Sequence, residues 1–398
     1  MAIEIKKNIY WIGVNDRTTD LFEGLWPISK EGVTYNSYLI NDKKKAIIDL
    51  SKSIKTDSFF DEVASVIDID KIDYVIINHM EPDHTGVLKT LRRLSPSVKI
   101  LCTAKAKKML ADYYSLTDNI VTVEDGEVLD LGENKLVFHH IPFVHWPETM
   151  ATYNPQEGIL FSCDAFGSYG AFSGNIFDDN CKNIDFYKNE ALRYYVNIVA
   201  KFSRNVINAI EKLKNVDIKI IAPSHGLVWR EKPGDIIELY RQWAELAGKP
   251  GEPGITLIYG SMYGNTEKMM NTVALGASSA GLPVEIFDAA RTDTSYIMPS
   301  VWKRSGVIIG APTYEVGLFP PMINALELLA LKKIENKKAL YFGSYGWSGG
   351  ALKKVLSITE PLKWEFKDTF EFQGGATEAD LEKGYEMGKK FAEQLKVL

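Results

Sequence analysis

Short apolar runs that stop at potential ligand residues recur through the first 250 positions. Ile9 to Val14, Tyr35 to Ile40 and Ala46 to Leu50 read as strands, with the polar Asn41 to Lys45 as a hairpin turn between the last two. The run Tyr74-Val75-Ile76-Ile77 predicts a buried strand and leads into Asn78-His79-Met80-Glu81-Pro82-Asp83-His84-Thr85-Gly86. Pro82 lacks an amide hydrogen and restricts Glu81, so this stretch is expected on an irregular loop where its two histidines and two carboxylates can converge. Three later runs end similarly: Ile141 to Val144 before His145, Ile159 to Cys163 before Asp164, and Ile218 to Ser224 before His225. Four strands are thus expected to deliver ligand types at their carboxyl ends. Ser58 to Val66 and Thr85 to Leu94 have helical spacing, and Phe186 to Leu213 predicts one long core or interface helix.

The rhythm changes after Glu245 to Gly254, which holds three glycines and two prolines and reads as a flexible linker. A domain boundary is expected near residue 251, giving domains 1–250 and 251–398. Strands Ile255 to Tyr259, Val284 to Phe287, Gly306 to Ile309 and Lys338 to Phe342 then alternate with helices over Glu267 to Ala280, Thr294 to Val301, Met322 to Leu331, from Gly350 and after Thr377. That alternation predicts an α/β fold with a doubly wound parallel sheet.

Composition narrows the chemistry. The net charge of −6 leaves no basic footprint for nucleic acid or anionic lipid. No apolar run approaches the roughly 18 residues of a membrane span, and the start lacks a signal-peptide core. Cys102, Cys163 and Cys181 are sparse and odd in number, which fits reduced thiols in a cytoplasmic protein; no Cys-x-x-Cys builds a rubredoxin-like iron site.

The donors His79, Glu81, Asp83, His84, His145, Asp164 and His225 are too many for one tetrahedral zinc and suit two metals. One split gives His79, Glu81 and His145 to one metal and Asp83, His84 and His225 to the other, with Asp164 bridging. Three carboxylates plus a hydroxide neutralise two ferrous ions and leave a modest excess on oxidation, which favours redox-active iron over zinc. His139 and His140 are expected to be structural or exposed histidines on a strand, and Cys163 a small buried thiol. Phe22, Trp26 and Trp146 either wall the open metal positions or belong to the core. In the second half, Ser261-Met262-Tyr263-Gly264-Asn265-Thr266 lies between a strand and a helix and predicts an anion cradle at the helix N-terminus. Pro312-Thr313-Tyr314-Glu315 and Ser344-Tyr345-Gly346-Trp347-Ser348-Gly349-Gly350 follow later strands. They offer aromatic faces and amides for a flat ring system.

These motifs resemble a known family. His79-x-Glu81-x-Asp83-His84 is similar to the His-x-His-x-Asp-His pattern of the metallo-β-lactamase fold, with glutamate for the second histidine, as in the flavodiiron proteins (A-type flavoproteins). His145, Asp164 and His225, and the flanking words Leu21 to Pro27, Tyr35 to Tyr38 and His145 to Glu148, match as well, and the likeness covers essentially the whole chain. It implies an N-terminal metallo-β-lactamase-like αβ/βα sandwich and a C-terminal flavodoxin-like domain. The seven donors would hold two irons, the three later loops would hold FMN, and no catalytic side chain is expected beyond the metal ligands. It further implies an oxidoreductase that reduces dioxygen to water and/or nitric oxide to nitrous oxide, leaving the preference open. Electrons would pass through FMN from a separate donor, usually rubredoxin and in some methanogens a deazaflavin coenzyme. A head-to-tail homodimer, or a dimer of dimers, would pair FMN of one chain with the metals of the other. The alternatives are a di-zinc hydrolase with an accessory flavodoxin domain, disfavoured by Glu81, and an electron carrier or gas sensor without turnover.

Overall fold

The computed structural model describes residues 1–396. The chain forms two compact units, Met1–Ala244 and Glu245–Leu398.

Two sheets face each other in the first unit. One runs Ile3–Lys6, Ile9–Trp11, Tyr38–Asn41, Lys45–Ile48, Tyr74–Ile76, Lys99–Cys102, Ile120–Thr122; it is antiparallel up to Lys45–Ile48 and parallel beyond. The other runs Val128–Asp130, Lys135–His140, Met150–Asn154, Ile159–Cys163, Ile220–Pro223, with only its last pair parallel. Tyr38 and Phe161 pack ring to ring across the two sheets at 5.0 Å. The Tyr38 hydroxyl donates to Pro223 O at 2.7 Å, and Thr152 Oγ1 donates to Asn78 Oδ1 at 2.7 Å. These buried bonds fix the two sets of strand ends against each other, so donors leaving different strands share one frame.

Several local expectations change. Asp83 and His84 lie on a helical turn, Pro82–Thr85, and not on an irregular loop. Pro82 occupies the first helical position, where a missing amide hydrogen costs nothing and a fixed φ helps. The run Ile141 to Val144 is a turn; its strand is Lys135–His140, so His145 sits on the loop beyond. The single helix predicted from Phe186 to Leu213 is broken into Ile184–Tyr194, a π-helical turn Tyr195–Val199, a 3₁₀ turn Ala200–Phe202 and Ser203–Leu213. All five residues of the π turn are buried, so this stretch is enclosed on every side.

The second unit carries a five-stranded parallel sheet in the order Val284–Asp288, Glu252–Tyr259, Arg304–Gly310, Lys338–Tyr345, Glu365–Gln373. The first crossover goes one way and the rest the other, which opens a crevice at the carboxyl ends. The edge strand Glu365–Gln373 is absent from the sequence reading because its charges interrupt the apolar alternation. Helices Asn265–Ser279 and Glu378–Leu395 cover one face in close contact: a Cβ on Gly276 would meet Tyr385 O at 2.0 Å, and one on Gly388 would meet Val273 O at 2.1 Å.

The glycine- and proline-rich segment is pinned to this unit and does not behave as a free tether. Asn336 Nδ2 donates to Gly248 O at 2.7 Å, and Lys337 Nζ donates to Pro250 O at 2.7 Å and Trp302 O at 3.0 Å. Lys337 is 2% exposed, and burial pushes its ammonium down to about 7. An unfolded lysine keeps its proton to about 10.4, so the unfolded chain binds more protons between these values and stability rises with pH across that window. We expect the lysine to add about 2 kcal/mol of stability between pH 7 and pH 9, a slope that Lys337→Met removes. Chemical denaturation of both proteins at the two pH values measures it; identical slopes would refute the assignment.

Candidate functional site

The seven expected donors come together at one end of the first unit. His79 leaves the Tyr74–Ile76 strand, Asp83 and His84 sit on the turn after Pro82, and Glu81 caps that turn. His145 comes from the loop before Met150–Asn154, Asp164 directly follows Ile159–Cys163, and His225 follows Ile220–Pro223. All are buried except Glu81, which is partly buried.

They form two groups that meet at Asp164. In one, His79 Nε2 lies 3.3 Å from Glu81 Oε2 and 3.4 Å from Asp164 Oδ2. His145 Nε2 lies 3.0 Å from Glu81 Oε2 and 3.2 Å from Asp164 Oδ2. In the other, His84 Nε2 lies 3.1 Å from Asp164 Oδ1 and 3.4 Å from Asp83 Oδ1, and His225 Nε2 lies 3.4 Å from Asp164 Oδ1 and from Asp83 Oδ2. Donors bound to one ion at about 2.1 Å stand about 3.0–3.4 Å apart. Both oxygens of Asp83 and Asp164, and Nε2 of His84 and His225, are buried without a hydrogen-bond partner. Close approach without hydrogen-bond alignment means these atoms aim at a common point between them, which is where a cation fits.

Electrostatics point the same way. Burial pulls His79 down, but the Glu148 and Glu81 carboxylates outweigh it and raise it to about 10. Burial is likewise overcome at His225, raised by Asp164 and Asp83 to about 10. Asp83 and Asp164 raise His84 to about 9, and Asp164 and Glu81 raise His145 to about 9, again against burial. Burial disfavours a charged Asp164, yet His84, His145 and His225 hold it well below the usual carboxylate range. The cluster therefore demands positive charge, supplied by protons or by metal.

A supporting layer fixes the rings. His79 Nδ1 lies 2.8 Å from Glu148 Oε1, which also accepts from the Met80 amide at 3.0 Å. His225 Nδ1 donates to Thr34 O at 2.6 Å. With Nδ1 engaged, Nε2 is the free lone pair in each neutral ring. Phe22 packs on His225 at 5.4 Å and Trp146 on His79 at 5.0 Å. Phe22 belongs to the buried core as well, Trp146 is only partly buried, and the buried Trp26 donates Nε1–H to Glu23 Oε2 at 3.0 Å. A cavity of about 260 Å³ opens over the cluster between Phe22, Glu23, Gly24, Tyr35, Lys52, Glu81, Pro82 and Asp83. Glu148 and Glu23 were present in the sequence only as parts of matching flanking words. Neither Trp-Pro-Glu nor Phe-Glu-Gly says which way its carboxylate points. His139 and His140 are half-buried on the Lys135–His140 strand, outside the cluster.

In the second unit, Met262, Tyr263, Asn265, Pro312, Thr313, Tyr314, Glu315, Ser344, Tyr345, Gly346 and Trp347 line one cavity of about 360 Å³, together with Gly374. Gly374 directly follows the edge strand Glu365–Gln373, whose charges give no apolar signal in the sequence. Ser261, Gly264, Thr266, Ser348, Gly349 and Gly350 do not line it. Ser261 Oγ accepts from the Gly264 amide at 3.1 Å and shapes the loop, and Thr266 Oγ1 bonds Ser344 Oγ at 2.8 Å, tying two loops together. Gly350 lies against Val316, whose O would be 2.2 Å from an added Cβ. Gly264, the N-cap of helix Asn265–Ser279, has no side chain to cap it; Glu267 N–H donates to Ser261 Oγ at 3.4 Å, and the Asn265 and Thr266 amides before it are placed to meet an anion. Tyr263 and Trp347 are 89% and 83% exposed beside the cavity.

Residues 33–226 match the family model described as ODP family beta lactamase, and residues 257–388 match Flavodoxin. The chain is 34% identical over 402 residues to the anaerobic nitric oxide reductase flavorubredoxin of Pectobacterium atrosepticum, covering 98% of this chain and 78% of that protein. It is also 34% identical to the protein of that description from Escherichia coli O1:K1 / APEC, covering 99% and 82%. Among solved structures, rubredoxin oxygen:oxidoreductase from Desulfovibrio gigas superposes with a TM-score of 0.94 at 29% identity, covering 100% of this chain and 99% of that one. The flavodiiron protein from Giardia intestinalis gives 0.93 at 28%, covering 100% and 97%. The first unit is thus metallo-β-lactamase-like and the second flavodoxin-like.

The hydrogen bond from His79 to Glu148 makes a direct test. Glu148→Ala is expected to weaken divalent-metal binding about 10–100-fold, read by competition with a chromophoric chelator. Glu148→Gln, which still accepts from Nδ1, should recover most of the loss. Unchanged affinity in the alanine variant would show that His79 is oriented without it.

Proposed function

This chain belongs to the flavodiiron proteins, and from that membership we propose that it reduces nitric oxide to nitrous oxide and/or dioxygen to water at a di-iron site. Electrons would come through FMN from an external donor such as rubredoxin. The oxidoreductase class is common to the relatives named above. The observation that carries the finer reading is the pair of donor groups sharing Asp164. We assign His79, Glu81 and His145 to one iron, Asp83, His84 and His225 to the other, and Asp164 to both. We likewise take the domains as 1–250 and 251–398.

Bound iron would supply one-electron steps and an open position for a diatomic ligand, and bound FMN would collect electrons from the donor. The side chains do the rest. Glu81, where a hydrolase of this fold has histidine, adds a hard anionic oxygen that favours the oxidised state of iron. Glu148 and the Thr34 carbonyl hold His79 and His225 in the tautomer that presents Nε2. Phe22, Trp146 and Tyr194 press on the imidazoles and keep water from them; Tyr194 lies 5.7 Å from His225. The cavity of about 260 Å³ beside Glu23 and Lys52 has room for a diatomic substrate over the cluster. Two nitric oxide molecules take up two electrons and two protons to give nitrous oxide and water; dioxygen takes up four of each to give two waters.

The cavity between Tyr263, Tyr314 and Trp347 suits the isoalloxazine ring, with phosphate at the start of the Asn265–Ser279 helix. Exposed Leu21 and Leu25 on the hairpin near the metal site, and exposed Tyr263 and Trp347 on the flavin loops, provide apolar surface for self-association. We take this as support for a head-to-tail homodimer that pairs FMN of one chain with iron of the other. A cytoplasmic location is supported by free Cys102, Cys163 and Cys181. Among the described residues no helix is long and apolar enough to cross a membrane.

Purified protein, reduced anaerobically and mixed separately with nitric oxide and dioxygen, is expected to hold two irons and one FMN per chain and to reoxidise its flavin rapidly with gas consumption. His79→Asn should lose iron and gas turnover while retaining FMN. Zinc in the site with ester or lactam hydrolysis and no gas turnover would replace this reading by the hydrolase. An active monomer in analytical ultracentrifugation would remove the dimer.

A further inference from the structure

The hairpin Leu21–Phe22 / Trp26–Pro27 hangs over the metal site, and its turn is held by Glu23 at φ 52° and Gly24 at φ 69°. Left-handed backbone at both positions gives the turn a fixed direction, and that direction brings the Glu23 carboxylate into the mouth. One donor atom each from Glu23, Glu81 and His145 lie within 4.8 Å of one another. Glu23 is thus a fourth carboxylate at the cluster, outside the seven donors assigned above. It differs from them in being exposed, and its Oε2 accepts the indole N–H of the buried Trp26 at 3.0 Å.

We propose that Glu23 is a displaceable carboxylate ligand of the iron assigned to His79, Glu81 and His145, competing with incoming small ligands for that iron's open position. This rests on the di-iron reading above. A glutamate has the reach to swing between metal and indole, and the two positions compete: Trp26 favours the open state, and the metal's charge favours the closed one. An anionic ligand is most needed when the irons are oxidised, so closure accompanies the oxidised state and opening accompanies reduction. The first unit would thereby shield its oxidised site and expose its reduced one.

The test uses iron-loaded, air-oxidised protein and azide as the probe, titrated through its charge-transfer band to ferric iron. Wild type, Glu23→Gln and Trp26→Phe should each retain two irons. Glu23→Gln, which removes the competing anion, should bind azide about tenfold more tightly. Trp26→Phe, which removes the indole's hold on the carboxylate, should bind azide severalfold more weakly. These opposite shifts are not produced by a general loosening of the site. Azide affinities within twofold of wild type in both variants would overturn the proposal. Wild-type protein that fails to hold two irons would instead defeat the di-iron reading, so the two failures are distinguishable.

Discussion

One buried carboxylate organises the first unit. Asp164 presents Oδ2 to His79 and His145 and Oδ1 to His84 and His225, at 3.1–3.4 Å in each case. No hydrogen bond satisfies either oxygen, and an anion buried in that state is costly unless a positive charge lies against it. Its four histidine neighbours come from the ends of two strands, the helical turn after Pro82 and one loop. The position of Asp164 is therefore a constraint on the whole sandwich, because both sheets must end in register around it. The inter-sheet bonds of Tyr38 to Pro223 and of Thr152 to Asn78 serve that register directly.

The same constraint explains the charge balance. Left to protons, the cluster keeps its four imidazoles charged well above their ordinary range, each against the opposing effect of burial. Cations take the place of those protons without disturbing the frame, since the outward Nδ1 of His79 and of His225 are already committed to Glu148 and Thr34. Metal binding here is an exchange of one positive charge for another inside a preformed shell. Rigid support of this kind keeps the ligand geometry steady when the charge on the metal changes.

Much of this was legible in the sequence, and the failures are local. The seven donors stood out because histidines are few and each followed an apolar run. Strand existence survived where runs were continuous, as in Ile159–Cys163, whose five residues are all buried. It failed where tertiary contact decides: Glu365–Gln373 is a strand because it pairs with Lys338–Tyr345, though its own pattern is half charged. The turn at Pro82 was misjudged because proline's effect reverses between the interior and the first position of a helix. The breaks after Tyr194 fall where every residue of the π turn is buried, and apolar periodicity alone does not report them. Glu148 and Glu23 were unreadable as site residues because a carboxylate's role depends on direction, which a loop sets through backbone angles such as those at Glu23 and Gly24.

The two units solve opposite problems with related means. Both place their chemistry at the carboxyl ends of parallel strands, where side chains and amides from several loops meet. In the first unit the loops are locked from behind, and almost every polar atom near the metals is buried. In the second, the Thr266–Ser344 bond and the Gly350 contact with Val316 fix the loop bases, while Tyr263 and Trp347 at the tips stay exposed. Fixed bases with open tips allow a flat cofactor to be held while one edge stays accessible to an electron donor or acceptor. A closed metal shell and an accessible flavin edge are complementary requirements: the metals need protection from water, and the flavin must meet partners.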